Sequence, residues 1–226
     1  MTGYVLSDLH LFAERSNAEV YAEQIVEISH QAKFIVLNGD IFDFKWSRYP
    51  TTADTIKGAL DWLDQLVSRN AGCDIHYIMG NHDGLISFAQ ALENFQRPNF
   101  FWSPTHVKIG SSLFLHGDLP LSGKNPFVRR LIEDEVVPSD QLHKLYAHAV
   151  RFRLHRVADL LNHKVKSVRM LYQTLQKYPS PELEGVKDIY FGHTHVCFEG
   201  FSYQGYTFHN TGGAIRGVSK KILLVP

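Results

Sequence analysis

Gly80-Asn81-His82-Asp83 closes the run Cys73-Asp74-Ile75-His76-Tyr77-Ile78-Met79, and the reading of this stretch decides the fold. The run is filled with β-formers and ends on Gly, the pattern of a buried strand. An Asn and a His side by side at the C-terminal end of a central strand, just before a helix, stand where open α/β sheets place their chemistry. Four other strand ends repeat the design: Asp8-Leu9-His10, Gly39-Asp40-Ile41-Phe42-Asp43, His116-Gly117-Asp118 and Gly192-His193-Thr194-His195.

The rest of the chain supplies the frame for these loops. Residues 3–7 read as the first strand, and Ser16 as the cap of a helix over about 17–31 with Val20, Ile25 and Ile28 facing a core. Phe34-Ile35-Val36-Leu37 is a continuous apolar run, as expected of a strand covered on both faces. Thr51 and Thr52 open a helix with Ile56, Leu60, Leu63 and Val67 on one face. A strand over 72–79 and a short helix near 84–91 complete a β-α-β-α-β series, which implies parallel strands and right-handed crossovers.

After about residue 98 the rhythm changes. Short strands near 99–102, 105–109 and 112–116 predict that a second, mixed sheet begins there. A helical region fills about 126–178, with Pro126 in a first turn, Pro138-Ser139-Asp140 starting another helix and Pro179 closing the region. Strands return near 188–191, 196–203, 205–209 and 221–225. The expectation is an α/β fold of two mixed sheets with helices outside them.

At 226 residues the chain is long enough for one well-buried domain over 1–226 with an inserted helical subdomain at about 119–180. A net charge of +0 argues against a polyanionic partner and gives no strong nucleic-acid signal, although a local basic patch fits within a neutral total. Cys73 and Cys197 give no disulfide framework. Met1 runs directly into a strand, leaving no room for a signal peptide, and no apolar stretch approaches the ~20 residues of a membrane span. A cytoplasmic enzyme is expected, with peripheral membrane contact still open.

Asp8-x-His10 and His193-x-His195 share a spacing at which, in extended chain, both side chains point to one side and reach one ion. Either pair alone is a weak signal. Asp40 has two oxygens and can bridge two cations, Asn81 supplies a neutral carbonyl, and His116 adds another imidazole. Asp8, His10, Asp40, Asn81, His116, His193 and His195 together suit two adjacent divalent cations roughly 3.5–4 Å apart, sharing an acidified water. A mixed oxygen and nitrogen set without thiolate suits Mn, Fe or Zn better than a Cys-based structural zinc site, and of the three Mn is the expected metal. His82 is expected to aim past the ions at the substrate, stabilising the transition state or protonating the leaving oxygen, with Asp43 either orienting it or capping its own loop.

As an ordered set, D-x-H, G-D-x-x-D, G-N-H-D, H-G-D and G-H-T-H resembles the calcineurin-like metallophosphoesterases. The resemblance spans residues 8–195 and implies a four-layer αββα sandwich, a binuclear metal site and hydrolysis of a phosphate ester or anhydride. It implies Asp8, His10, Asp40 and His195 on one metal, and Asp40, Asn81, His116 and His193 on the other. His209-Asn210-Thr211-Gly212-Gly213 resembles the family's closing Asn-x-Gly turn, with a structural role. The Ser-Asp-Leu-His-Leu opening and the helical segment between His116 and His193 resemble UDP-2,3-diacylglucosamine pyrophosphohydrolases, whose insert is a lid receiving acyl chains. Many of those carry Arg and Glu where this chain has His82 and Asp43, the choices of the broader family.

Within the insert, Lys144, His148, Arg151 and His155 fall on one helical face, and Val150, Leu154, Val157 and Leu161 form an apolar stripe. That basic face is either a solvated surface or a contact for a diphosphate, anionic lipid or nucleic acid; Arg151, His148 and His155 are its candidate substrate contacts. His30, His76 and His106 read as surface or core residues. The first reading is therefore a phosphohydrolase acting on a small phosphorylated molecule or a nucleotide-linked lipid. A nuclease or cyclic-nucleotide phosphodiesterase, and a catalytically silent scaffold, are the alternatives.

Overall fold

The computed structural model describes residues 2–133 and 163–226. The first sheet has the order β10-β1-β2-β3-β4. Strands β1 (Gly3–Leu6), β2 (Phe34–Asn38), β3 (Asp74–Ile78) and β4 (Phe100–Ser103) run parallel, and β10 (Leu223–Val225) pairs antiparallel with β1. The second sheet has the order β5-β6-β7-β9-β8, from β5 (His106–Ile109), β6 (Ser112–Leu115), β7 (Asp188–Phe191), β8 (Phe198–Tyr203) and β9 (Tyr206–Asn210). It is mixed: β6-β7 and β7-β9 are parallel, β5-β6 and β8-β9 antiparallel.

The layers follow from the two-residue period of a strand. In β2, Ile35 and Leu37 join the core beneath the helices, whereas Phe34 and Val36 join Val5, Ile78, Phe114 and Tyr190 between the two sheets. In the second sheet Leu113, Leu115, Ile189 and Phe191 face outward, onto Val168, Leu171 and Leu175. Helices α1 (Ala22–Ser29), α2 (Thr52–Ser68) and α3 (Ile86–Asn94) cover the first sheet; α4, a single turn at Asp118–Leu121, and α5 (Lys164–Lys177) lie with the second. Among the described residues the result is helix, sheet, sheet, helix.

Local signals explain most boundaries. Thr51 caps α2, its hydroxyl accepting from the Asp54 amide at 3.0 Å. Leu63 and Val67 are buried, and Ile56 and Leu60 pack partly buried beside them. Among the described residues no helix is long and apolar enough to cross a membrane.

Four expectations need correction. Ser16 caps a 3-10 turn at Ala18–Tyr21, accepting from the Ala18 amide, and α1 starts only at Ala22. Val20 is 74% exposed, because that tighter turn rotates it off the face Ile25 occupies. The strand predicted near 99–102 is β4 and extends the first sheet; the second begins at β5. Residues 126–133 are not helical, and Pro126 opens no helix. That segment instead exchanges backbone hydrogen bonds with the loop after β3: Ile132 donates to Gly84, and Ile86 donates to Ile132. Pro138-Ser139-Asp140, the basic face with Lys144, His148, Arg151 and His155, and the apolar stripe lie outside the described residues.

Candidate metal centre

All five loops leave C-terminal strand ends and meet at one edge of the sandwich. Asp8 and His10 do come together, but not by the extended geometry their spacing predicts, since neither residue is extended. Asp8, His10, Asp40, His193 and His195 have φ of +51°, +47°, +51°, +65° and +57°. L-residues seldom adopt this left-handed region, and residues held there cluster at functional sites. Two glycines allow the close approach: a Cβ at Gly80 would collide with the Asp40 carboxylate, and one at Gly192 with that of Asp8.

Two groups of ligand atoms converge, and a third possible set, His10, Asp40 and His82, shares a member with each. In the first, His195 Nε2 lies 3.4 Å from Asp8 Oδ1 and 3.3 Å from His10 Nε2. In the second, His116 Nε2 lies 3.2 Å from Asp40 Oδ2 and 3.3 Å from Asn81 Oδ1, with His193 within ligating range of Asp40 and His116. Asp40 Oδ2 is also 4.0 Å from His10 Nε2, so this carboxylate stands between the groups. Asp8, His10, Asp40 and His116 are buried.

The donor set fits two divalent cations. Imidazole nitrogens as close as those of His10 and His195 need a proton or a cation between them, and buried carboxylates need positive charge. Burial opposes ionisation of Asp40, yet the positive field of His116 holds its carboxyl well below the usual range. Burial likewise disfavours a charged His116, but Asp40 outweighs it and pushes the imidazole up to about 10. A field that binds a proton so firmly also binds a cation, which must displace that proton. His116 Nδ1 lies 3.1 Å from the Asn38 carbonyl, which only accepts, so Nδ1 carries the hydrogen and Nε2 faces the site as a ligand atom. Burial and Arg15 pull His10 down to about 4, which keeps it neutral, as a ligand must be.

Against the first group lies a cluster built on His82 and Asp43, with Asp43 Oδ2 3.5 Å from His10 Nδ1. His82 Nδ1 is 3.0 Å from Asp43 Oδ1, while the His82 amide donates to Asp40 Oδ1 at 2.8 Å. The main chain of His82 is therefore tied to the carboxylate between the groups, and its ring to Asp43. Burial would raise Asp43, but His82, His10 and Arg15 hold it well below the carboxylate range. An ionised Asp43 accepts Nδ1–H, while His82 Nε2 lies 3.4 Å from Arg15 Nη2 and the side chain is 20% exposed. A cavity of about 310 Å³ opens there, lined by Phe44, Lys45, Trp46, Thr52, Asn81, His82 and Leu85.

Sequence reasoning missed several supports. Arg15 Nη2 sits 3.0 Å from Asp43 Oδ2, 3.1 Å from His10 Nδ1 and 3.4 Å from His82 Nε2, and only its position five residues after His10 hinted at this. Asp83 accepts from the Ile41 amide, the Tyr77 hydroxyl and the Gly80 amide, locking two ligand loops together; its signal was the fourth letter of Gly80-Asn81-His82-Asp83. Behind Asp8, the Ser7 hydroxyl donates to its carboxylate and buried Lys220 donates to the Ser7 carbonyl. In the closing turn, Asn210 accepts from the Gly212 amide and donates to the Gly192 carbonyl, which ties that turn to the His193 loop. Of the remaining candidates, Arg151, His148 and His155 lie outside the described residues.

A sandwich with two adjoining oxygen and nitrogen ligand groups and a carboxylate between them defines a binuclear hydrolytic type of centre. A family model described as calcineurin-like phosphoesterase matches residues 1–197. The chain belongs to the calcineurin-like phosphoesterase family and is a metal-dependent phosphohydrolase. Among solved structures, a dimetal phosphatase from Danio rerio is similar over 95% of this chain and 88% of its own, with 15% identity and a TM-score of 0.47. Comparison with curated proteins finds no match.

Proposed function

We propose that this phosphohydrolase cleaves a phosphodiester or pyrophosphate bond in a small, nucleotide-linked substrate, with two Mn ions in the centre. The position of Asp40, Oδ2 directed at His116 on one side and His10 on the other, carries this reading. Asp8, His10, Asp40 and His195 would hold one cation, and Asp40, Asn81, His116 and His193 the other. Bound there, the pair supplies Lewis-acid polarisation of the phosphoryl oxygens and an acidified water.

The remaining work falls to the chain's own groups. His82 holds a proton at Nε2 and delivers it to the leaving oxygen, while Asp43 fixes its ring through Nδ1–H. Arg15 keeps Asp43 in place from the other side. The cavity beyond His82 receives the leaving portion: Phe44, Trp46 and Leu85 give it an apolar wall, and Lys45 places a cation beside it. These features support a substrate with both anionic and apolar parts, such as a UDP-2,3-diacylglucosamine-like lipid.

Chelator-stripped protein is expected to lose hydrolysis of both bis(4-nitrophenyl) phosphate and UDP-2,3-diacylglucosamine, and to regain it with Mn. Faster cleavage of the lipid nucleotide supports the substrate reading; cleavage of the generic ester alone discards it and leaves the metal chemistry. Full activity after verified metal removal would overturn the mechanism.

A further inference from the structure

Arg129 lies in the non-helical stretch after α4, outside every motif of the centre. Its side chain is only 6% exposed. It makes a two-pronged ion pair with Asp118, Nη1 to Oδ2 at 2.8 Å and Nη2 to Oδ1 at 2.7 Å. The same nitrogens donate to the carbonyls of Gly80 at 3.3 Å and Met79 at 3.1 Å, and Nε donates to Pro104 at 2.6 Å. All five N–H groups of the guanidinium are engaged, which only its planar fork permits.

The partners matter more than the number of bonds. Gly80 precedes Asn81, and Asp118 follows His116 by two residues. Arg129 thus joins the two backbone segments that carry Asn81 and His116, whose ligand atoms face each other at 3.3 Å. Nearby, Ile132 fastens the same stretch to Gly84 and Ile86. The other group, Asp8, His10 and His195, hangs on different supports: the Asp8 carboxylate accepts from Ser7 and from the His193 amide. Among the described residues Arg129 bonds to none of that group.

We propose that Arg129 is a positioning residue for one half of the binuclear centre: by closing Asp118 onto Gly80 it sets the separation of Asn81 and His116, and with it the affinity for the second cation alone. This rests on the two-cation reading above.

The experiment measures Mn stoichiometry and stepwise affinity by calorimetry and elemental analysis on the full chain, with no turnover involved. Wild type is expected to bind two Mn. Arg129→Gln is expected to weaken one step about 10- to 100-fold, the usual cost of losing a supporting partner, and to leave the other unchanged. Arg129→Lys, which keeps charge but loses the fork, should fall between and serves if Arg129→Gln does not fold. Equal weakening of both steps marks a merely structural role and overturns the proposal, as do unchanged affinities in either folded variant. A wild type that binds fewer than two Mn overturns the reading beneath it as well.

Discussion

Asp40→Asn is expected to lower the turnover of Mn-reconstituted protein by about 10³-fold or more. The carboxylate has three attachments: Oδ2 toward His116 and His10, and Oδ1 accepting the His82 amide. An amide preserves the shape and the bond to His82, but it turns a neutral oxygen or an NH₂ toward both ligand groups. The loss of Lewis-acid stabilisation is worth several kcal/mol, and about 4 kcal/mol is roughly 10³ in rate. Elemental analysis should find both ions depleted. Wild-type turnover at full occupancy would remove Asp40 from the centre.

His82→Ala separates proton transfer from metal binding. Turnover is expected to fall by about 10²- to 10⁴-fold, the range of a positioned general acid, with both Mn retained. The pH profile supplies the sign. Burial pulls the His82 pKa down, but Asp43 and Asp40 outweigh it and raise it. A general acid acts in its protonated form, so wild-type turnover falls as pH rises through that pKa. Asp43→Asn removes a negative partner, lowers the imidazole pKa and moves the falling limb to lower pH. In His82→Ala the limb disappears. A limb that stays in place in both variants would assign the acid to another group.

These two residues also show how much of the candidate site was legible locally. The candidate ligands sit in short motifs at strand ends, and both the strands and the motifs are local features, readable from a two-residue period and a few letters. Asp43 was legible because it stands in the same motif as Asp40. Arg15, Arg129 and Lys220 were not, because their roles depend on approaches between distant segments, Lys220 reaching Ser7 from the other end of the chain. The stretch at 126–133 misled for a similar reason. Pro126 and the apolar residues after it allow a helix locally, while long-range bonds to Gly80, Gly84 and Asp118 decide otherwise. Val20 fell to a subtler effect, a change from α to 3-10 geometry within one turn.

The left-handed backbone at Asp8, His10, Asp40, His193 and His195 bears on how this protein can change over generations. Each such residue costs about 1 kcal/mol or more that a glycine would not. Selection for heat resistance alone, with no demand for turnover, would drift toward glycine or asparagine at these positions and yield a sturdier, inert sandwich. The candidate centre is therefore the part of the chain where robustness and reactivity are traded most directly.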